Sequence, residues 1–104
     1  MEIDIPEVKA EVEAVFGEYE RALVGNDVDA LGRLFWASPS TIRYGGGENL
    51  PGIDEIAAFR SGRSPVGLDR RLDRTVITIF GRDLATASTL FRRDNALGKV
   101  GRQM

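Results

Sequence analysis

Two side chains in this sequence have the types and settings needed for chemistry on a small acid: Tyr19 and Arg43. A phenol can donate or accept a proton, and the planar guanidinium of arginine can hold a carboxylate by two parallel hydrogen bonds. Arg43 lies between Ile42 and Tyr44 in a β-prone stretch that runs into three glycines. Strict alternation along a strand leaves two interpretations open. Arg43 either points to water while its neighbours pack into a core, or lies inside a cup as a fixed cation.

Four further residues could contribute to the same site. They are Trp36, Phe59, Arg60 and Arg63. An apolar cavity with a few convergent polar groups is the usual composition of a small-molecule site. Each residue also has a simpler interpretation, because a lone tryptophan is more often core packing and cations at the end of a helix interact favourably with its dipole. Tyr19 could likewise be an ordinary core phenol with one hydrogen bond.

The composition excludes several other kinds of chemistry. The 104 residues include no cysteine and no histidine, so the chain has no thiolate nucleophile, Ser-His triad or imidazole metal ligand. We therefore expect no metal and no cofactor. With 16 acidic and 14 basic residues, the formal net charge of -2 predicts no general attraction to nucleic acid or to an anionic membrane. No apolar run approaches the roughly 20 residues of a membrane helix, and the acidic start does not resemble a signal peptide, so we expect a cytoplasmic protein without a membrane partner.

Hydrophobic spacing predicts three helices. The first has Asp4 as its cap, continues to about Leu23 and buries one face that includes Tyr19. The second covers residues 28–35 and the third residues 53–60, each with an apolar stripe at spacings of three and four. Gly25 and Asn26 are predicted to end the first helix, and Asn26 or Asp27 is predicted to cap the second. Three of the candidate site residues, Tyr19, Phe59 and Arg60, lie on these helices.

Strands are predicted where β-branched and aromatic residues alternate with polar ones. The four β-prone runs are residues 40–44, 71–80, 84–93 and 100–103. Residues 49–52 are predicted to be a loop, and the arginine pairs at 70–71 and 92–93 are predicted to lie on solvated faces or at strand ends. Helices followed by hairpin-connected strands predict one α+β domain, residues 1–104, in which the helices pack on a curved antiparallel sheet and form a cone.

Several short motifs occur in a consistent order along almost the whole chain. They include Tyr19-Glu20-Arg21-Ala22-Leu23-Val24-Gly25-Asn26-Asp27, Arg43-Tyr44-Gly45, Glu48-Asn49-Leu50, Ala58-Phe59-Arg60 and Gly101-Arg102-Gln103. With these motifs the sequence resembles the AtzH-like family, which includes the oxalurate-catabolism protein HpxZ. The family is similar to the SnoaL-like and nuclear-transport-factor-like proteins. The resemblance therefore implies a cystatin-like cone with a pocket, and commonly a homodimer built across the sheet.

The resemblance also implies a function in the bacterial breakdown of nitrogen compounds. It implies a decarboxylating amidohydrolase that acts on a small anionic ureido substrate, such as 1,3-dicarboxyurea or oxalurate. Tyr19 and Arg43 match the family's helix tyrosine and strand arginine and are the predicted catalytic pair, and the four further candidates are predicted to bind substrate. The alternative is a non-catalytic dimeric module that binds a ureido acid or supports an amidase. Because family members continue beyond Gly-Arg-Gln with further strands, we expect this chain to be a truncated or shortened member.

Overall fold

Helices precede most of the strands in the computed structural model, which describes residues 1–45, 48–64, 66–93 and 100–104. The elements in chain order are α1 (Pro6–Gly25), α2 (Val28–Leu34), β1 (Ile42–Tyr44), β2 (Asn49–Pro51), α3 (Ile53–Gly62), β3 (Arg71–Phe80), β4 (Leu84–Arg92) and β5 (Val100–Gln103). The predicted α+β class is confirmed. No helix formed by these residues is long and apolar enough to cross a membrane.

Helix α1 begins without a side-chain cap. Ile5 is the N-cap residue, and Asp4, which was predicted to cap the helix, has a φ of 56° instead. The Asp4 backbone nitrogen donates to the Ile79 carbonyl at 3.0 Å, and the Ile79 nitrogen donates to Asp4 Oδ1 at 2.9 Å. The capping prediction is therefore wrong, because the carboxylate satisfies an amide of a distant strand. This pairing fixes the start of α1 to β3.

The corner between α1 and α2 follows the predicted local chemistry. Asn26 ends α1 in the left-handed conformation with a φ of 49°, and Asp27 caps α2 by accepting a hydrogen bond from the Ala30 nitrogen at 3.1 Å. The corner brings together small and aliphatic side chains from both helices. The resulting buried cluster consists of Ala22, Leu23, Ala30 and Leu31, with Tyr19 packed against it. The core thus holds one side of Tyr19, a predicted catalytic residue.

The strands form two antiparallel sheets. In the first, β1 pairs with β2 and places Arg43 opposite Leu50. The predicted loop at residues 49–52 is wrong for its first three residues, because the register puts Pro51 at the end of the pairing, where a missing N–H is tolerated. In the second sheet the order is β3-β4-β5, with a register shift between Asp73 and Val76.

The helices connect these sheets around a concave space. Helix α1 packs against β3 and α2, α2 packs against α3, and α3 packs against β1 and β2. The chain thus places the second half of α1, the short hairpin of β1 and β2, and the ends of β4 and β5 around one space. The cone-like arrangement predicted from the element order is what positions the candidate site.

Candidate functional site

A cavity of about 940 Å³ lies between α1, β1, β4 and β5. Its charged lining is dominated by arginine: Arg43, Arg63, Arg70, Arg93 and Arg102. Aromatic side chains form much of the remaining wall, and one carboxylate, that of Glu48, is found among the described lining residues. Although the whole chain is slightly acidic, this cavity concentrates positive charge. It is therefore suited to small anions.

Tyr19 lies in the wall of this cavity. Its ring stacks on Phe35 with 6.4 Å between ring centroids, and Gln103 of β5 donates through Nε2 to Tyr19 Oη at 2.7 Å. This contact occupies one lone pair of the phenol oxygen. None of the described residues accepts the phenolic proton, so that proton can be donated to a ligand.

Arg43 faces the cavity. Its neighbours Ile42 and Tyr44 are 54% and 73% exposed, whereas Arg43 is half-buried. Arg43 Nη1 donates to Glu48 Oε1 at 2.7 Å, and the guanidinium carbon lies 5.1 Å from the centroid of the Phe59 ring. The interpretation in which Arg43 points to water is wrong, because the apolar neighbours are the residues that face solvent. The cup interpretation is the one that the structure adopts.

Arg63 enters the cavity from the end of α3, where Asn26 holds it. Asn26 Oδ1 accepts from Arg63 Nε at 3.1 Å, and Asn26 Nδ2 donates to the carbonyls of Arg60 at 3.0 Å and of Arg63 at 3.2 Å. The Arg63 guanidinium also lies 5.5 Å from the Phe59 centroid. Phe59 thus contacts the guanidinium groups of both Arg43 and Arg63. Arg63 Nη2 is buried and has no hydrogen-bond partner among the described residues.

Burial and neighbouring positive charges lower the pKa of two arginines of the cavity, Arg63 and Arg93. Burial is the largest cause of the lowered pKa of Arg63, followed by the positive charges of Arg43 and Arg93, while Glu48 is among the groups that oppose this shift. Burial likewise lowers the pKa of Arg93, and Arg70 adds to the effect. These shifts mean that positive charge is crowded and incompletely compensated inside the cavity. An anionic ligand would relieve this repulsion.

Arg60 lies behind the cavity wall. It is 1% exposed, and its Nε and Nη2 have no hydrogen-bond partner among the described residues. Its guanidinium carbon is 4.2 Å from the centroid of Phe35, which forms part of the wall, and burial is the main cause of its lowered pKa. Arg60 thus packs behind Phe35 and is not among the described residues that line the cavity.

Trp36 lies outside the cavity lining. Trp36 is 69% exposed, and its backbone carbonyl accepts a hydrogen bond from Thr41 Oγ1 at 2.6 Å. Helix α2 ends at Leu34, and Phe35 has extended backbone angles, so consecutive side chains point to opposite sides. Phe35 therefore takes the place in the wall that was predicted for Trp36.

Arg70 and Arg93 were predicted to lie on solvated faces or at strand ends. They lie next to the ends of β3 and β4, and there they line the cavity. The side chain of Arg70 is 2% exposed, its Nε donates to both carboxylate oxygens of Glu20 at 3.1 Å, and its Nη2 also pairs with Glu20. The guanidinium carbons of Arg70 and Arg93 lie 4.6 and 5.2 Å from the centroid of Phe91. Phe91 and Arg93 are two residues apart and share a strand face, which is the sequence signal that could have placed Arg93.

The described residues contain no group of three or more histidine, cysteine, aspartate or glutamate side chains arranged to hold a metal ion. The chemistry that they offer is that of guanidinium groups, a phenol and a paired carboxylate. Such a set binds and orients anions and can transfer a proton.

Helices packed on antiparallel strands around one cavity place this chain in the cystatin-like α+β fold class, the fold of a similar solved structure. The sequence profile of the AtzH-like family matches residues 1–104, and the chain belongs to this family. The predicted family and fold are thereby confirmed.

Two similar crystal structures support this assignment. A protein of unknown function from the DUF3225 family of Pectobacterium atrosepticum is 53% identical, with a TM-score of 0.92, and the match covers 96% of this chain and 77% of that one. A cystatin-like fold protein from Burkholderia xenovorans is 48% identical, also with a TM-score of 0.92, over 98% of this chain and 78% of that one. Among curated proteins, no relative matches this sequence.

Asn26→Ala is expected to lower the free energy of unfolding by about 2 kcal/mol, because three side-chain hydrogen bonds are lost and alanine tolerates the left-handed conformation less well than asparagine. Asn26→Gly is the matched control, since glycine accepts the positive φ and loses only the side-chain bonds. Urea denaturation followed by circular dichroism measures both. Alanine and glycine variants as stable as the parent would contradict the anchoring role of Asn26.

Proposed function

We propose that this protein hydrolyses a C–N bond of small carboxylated ureas or ureido acids, such as 1,3-dicarboxyurea or oxalurate, with release of ammonia and carbon dioxide. The observation that carries the proposal is the convergence of several arginines and the phenol of Tyr19 on a single cavity. Family membership favours the same class of substrate, because the AtzH-like resemblance implies ureido acids. The positive charge of the cavity and the family membership thus both favour small ureido acids as substrates.

The arginines would bind and orient the substrate. Arg43 lies on β1, Arg63 directly follows α3 and Arg93 directly follows β4, and all three line the cavity. A ureido acid with two carboxylates could contact two of these cations, each by charge-assisted hydrogen bonds. Holding both ends would fix the scissile bond, and fixed orientation accounts for a large part of many catalytic accelerations.

Tyr19 would supply the proton that the leaving nitrogen needs. Its oxygen already accepts a hydrogen bond from Gln103, so its own O–H can be directed at the ligand. The oxygen of a water molecule adds to the carbonyl carbon, the C–N bond breaks, and the nitrogen takes the phenolic proton. A proton from the water restores the phenol, so Tyr19 is unchanged over the cycle. The cleavage leaves a carbamate, which loses carbon dioxide once its nitrogen is protonated.

The test is release of ammonia and carbon dioxide by the purified protein. We expect release from at least one of 1,3-dicarboxyurea, oxalurate and allophanate, and none from urea, which has no carboxylate for the arginines to hold. Circular dichroism confirms that the protein unfolds cooperatively under the assay conditions. A folded protein that binds these acids and releases no ammonia would contradict the hydrolase proposal and favour the binding module predicted as its alternative.

A further inference from the structure

Glu48 lies where a ligand carboxylate would be held. Its Oε1 accepts from Arg43 Nη1 at 2.7 Å, and its charge also acts on Arg63, whose pKa it raises against the effect of burial. Both guanidinium groups contact the ring of Phe59. The carboxylate of Glu48 thus interacts with Arg43 and Arg63, two of the cations that the proposed function assigns to the substrate.

The surrounding structure makes room for Glu48 in this position. The Gly45 nitrogen donates to the Glu48 carbonyl at 2.9 Å, so the two residues are held side by side. A β-carbon on Gly45 would overlap the Glu48 carboxylate. The side chains of Arg43 and Glu48 are 19% and 26% exposed, so this ion pair is shielded more than a pair at the surface. Glu48 therefore has a built site against Arg43 rather than a chance surface contact.

We propose that Glu48 is an internal counter-ion that occupies Arg43 in the ligand-free protein, is exchanged for a carboxylate of the ligand, and so determines ligand affinity. The inference rests on the proposed function only for the class of ligand, a small carboxylate. Exchange at Arg43 breaks one charge-assisted pair and forms an equivalent one, so a monocarboxylate gains little. A second carboxylate that reaches Arg63 or Arg93 adds contacts without breaking a hydrogen-bonded ion pair among the described residues, and the cavity should therefore favour dicarboxylates.

Glu48→Gln is expected to bind malonate about tenfold more tightly than the parent, because the variant has no carboxylate that competes for Arg43. Isothermal titration calorimetry at low ionic strength measures the affinity. Glu55→Gln is the matched control: Glu55 is exposed in the first turn of α3, so this variant loses the same charge without touching the cavity. Its malonate affinity should equal that of the parent within about twofold.

A malonate affinity of Glu48→Gln that equals or falls below that of the parent would overturn the proposal, and a weaker affinity would mean that Glu48 holds Arg43 in place for the ligand. Glu48→Asp provides a second test if the glutamine variant does not fold. The shorter aspartate side chain withdraws the carboxylate from Arg43, so Glu48→Asp should bind malonate more tightly than the parent. A malonate affinity no higher than that of the parent would equally overturn the proposal.

These results are independent of turnover. A protein that releases no ammonia but whose Glu48→Gln variant binds malonate more tightly would lose the proposed function and retain this inference. A protein that hydrolyses ureido acids while Glu48→Gln binds no more tightly would do the reverse.

Discussion

Tyr19→Phe is expected to lower kcat for ammonia release by about 10²- to 10⁴-fold, the range usually lost with a general acid. The phenylalanine ring keeps the packing against Phe35 and the core cluster of Ala22, Leu23, Ala30 and Leu31, and only the hydroxyl and its contact with Gln103 disappear. Malonate affinity should change by less than about threefold, because the arginines that bind carboxylates remain. Steady-state assays and calorimetry on the same preparations measure the two effects.

Tyr44→Phe is the matched control for this loss. Tyr44 lines the same cavity but is 73% exposed, and the proposed mechanism assigns no proton transfer to its hydroxyl, so removal of that hydroxyl should leave kcat unchanged. An unchanged kcat in a folded Tyr19→Phe variant would remove Tyr19 from the mechanism. Equal losses in both variants would show that the assay reports stability rather than proton transfer.

Arg43→Met is expected to weaken malonate binding by about 30-fold, within the range for losing hydrogen bonds to a charged group. Methionine keeps an unbranched apolar stem beside Phe59 and removes the cation. The change also leaves Glu48 without its Arg43 partner inside the cavity, which adds repulsion against an incoming carboxylate. The double variant Arg43→Met with Glu48→Gln should therefore bind malonate better than Arg43→Met alone.

Two further variants test whether the loss of malonate affinity in Arg43→Met is specific to the guanidinium at this position. Arg33→Met removes a cation whose side chain is 70% exposed and which lies in α2 outside the cavity lining, so malonate affinity should not change. Arg43→Lys keeps the charge and loses the planar fork, and it should bind with intermediate affinity. A folded Arg43→Met variant that binds malonate as tightly as the parent would show that carboxylates are held elsewhere, by the remaining cavity arginines Arg63, Arg70, Arg93 and Arg102.

Local sequence was sufficient for the features that depend on neighbouring residues. The end of α1 at Asn26 was predicted, and Asp27 was one of the two predicted caps of α2, because each feature is a matter of backbone conformation and one hydrogen bond within a few positions. The candidacy of Tyr19 and Arg43 also came from the sequence, and their catalytic roles stay predictions until the variants are measured. The homodimer implied by the family resemblance stays a prediction as well, and light scattering in solution would measure it.

Long-range contacts determined the rest of the site. Asp4 binds Ile79 instead of capping its own helix, and Arg70 is buried because Glu20, fifty positions earlier, pairs with it. Neither partner can be inferred from residues nearby in sequence, since a strand-end arginine is solvated unless another element covers it.

The sequence by itself determined the family, the α+β class, the approximate positions of the helices and longer strands, and the residue types available for chemistry. Only the tertiary structure decided which side of β1 faces the cavity, that Arg93 joins Arg43 there, and that Gln103 reaches Tyr19 across 84 positions. The physical reason is that secondary structure follows from local backbone preferences, whereas the direction of a side chain depends on strand register, and a shift of one residue reverses every side chain of a strand.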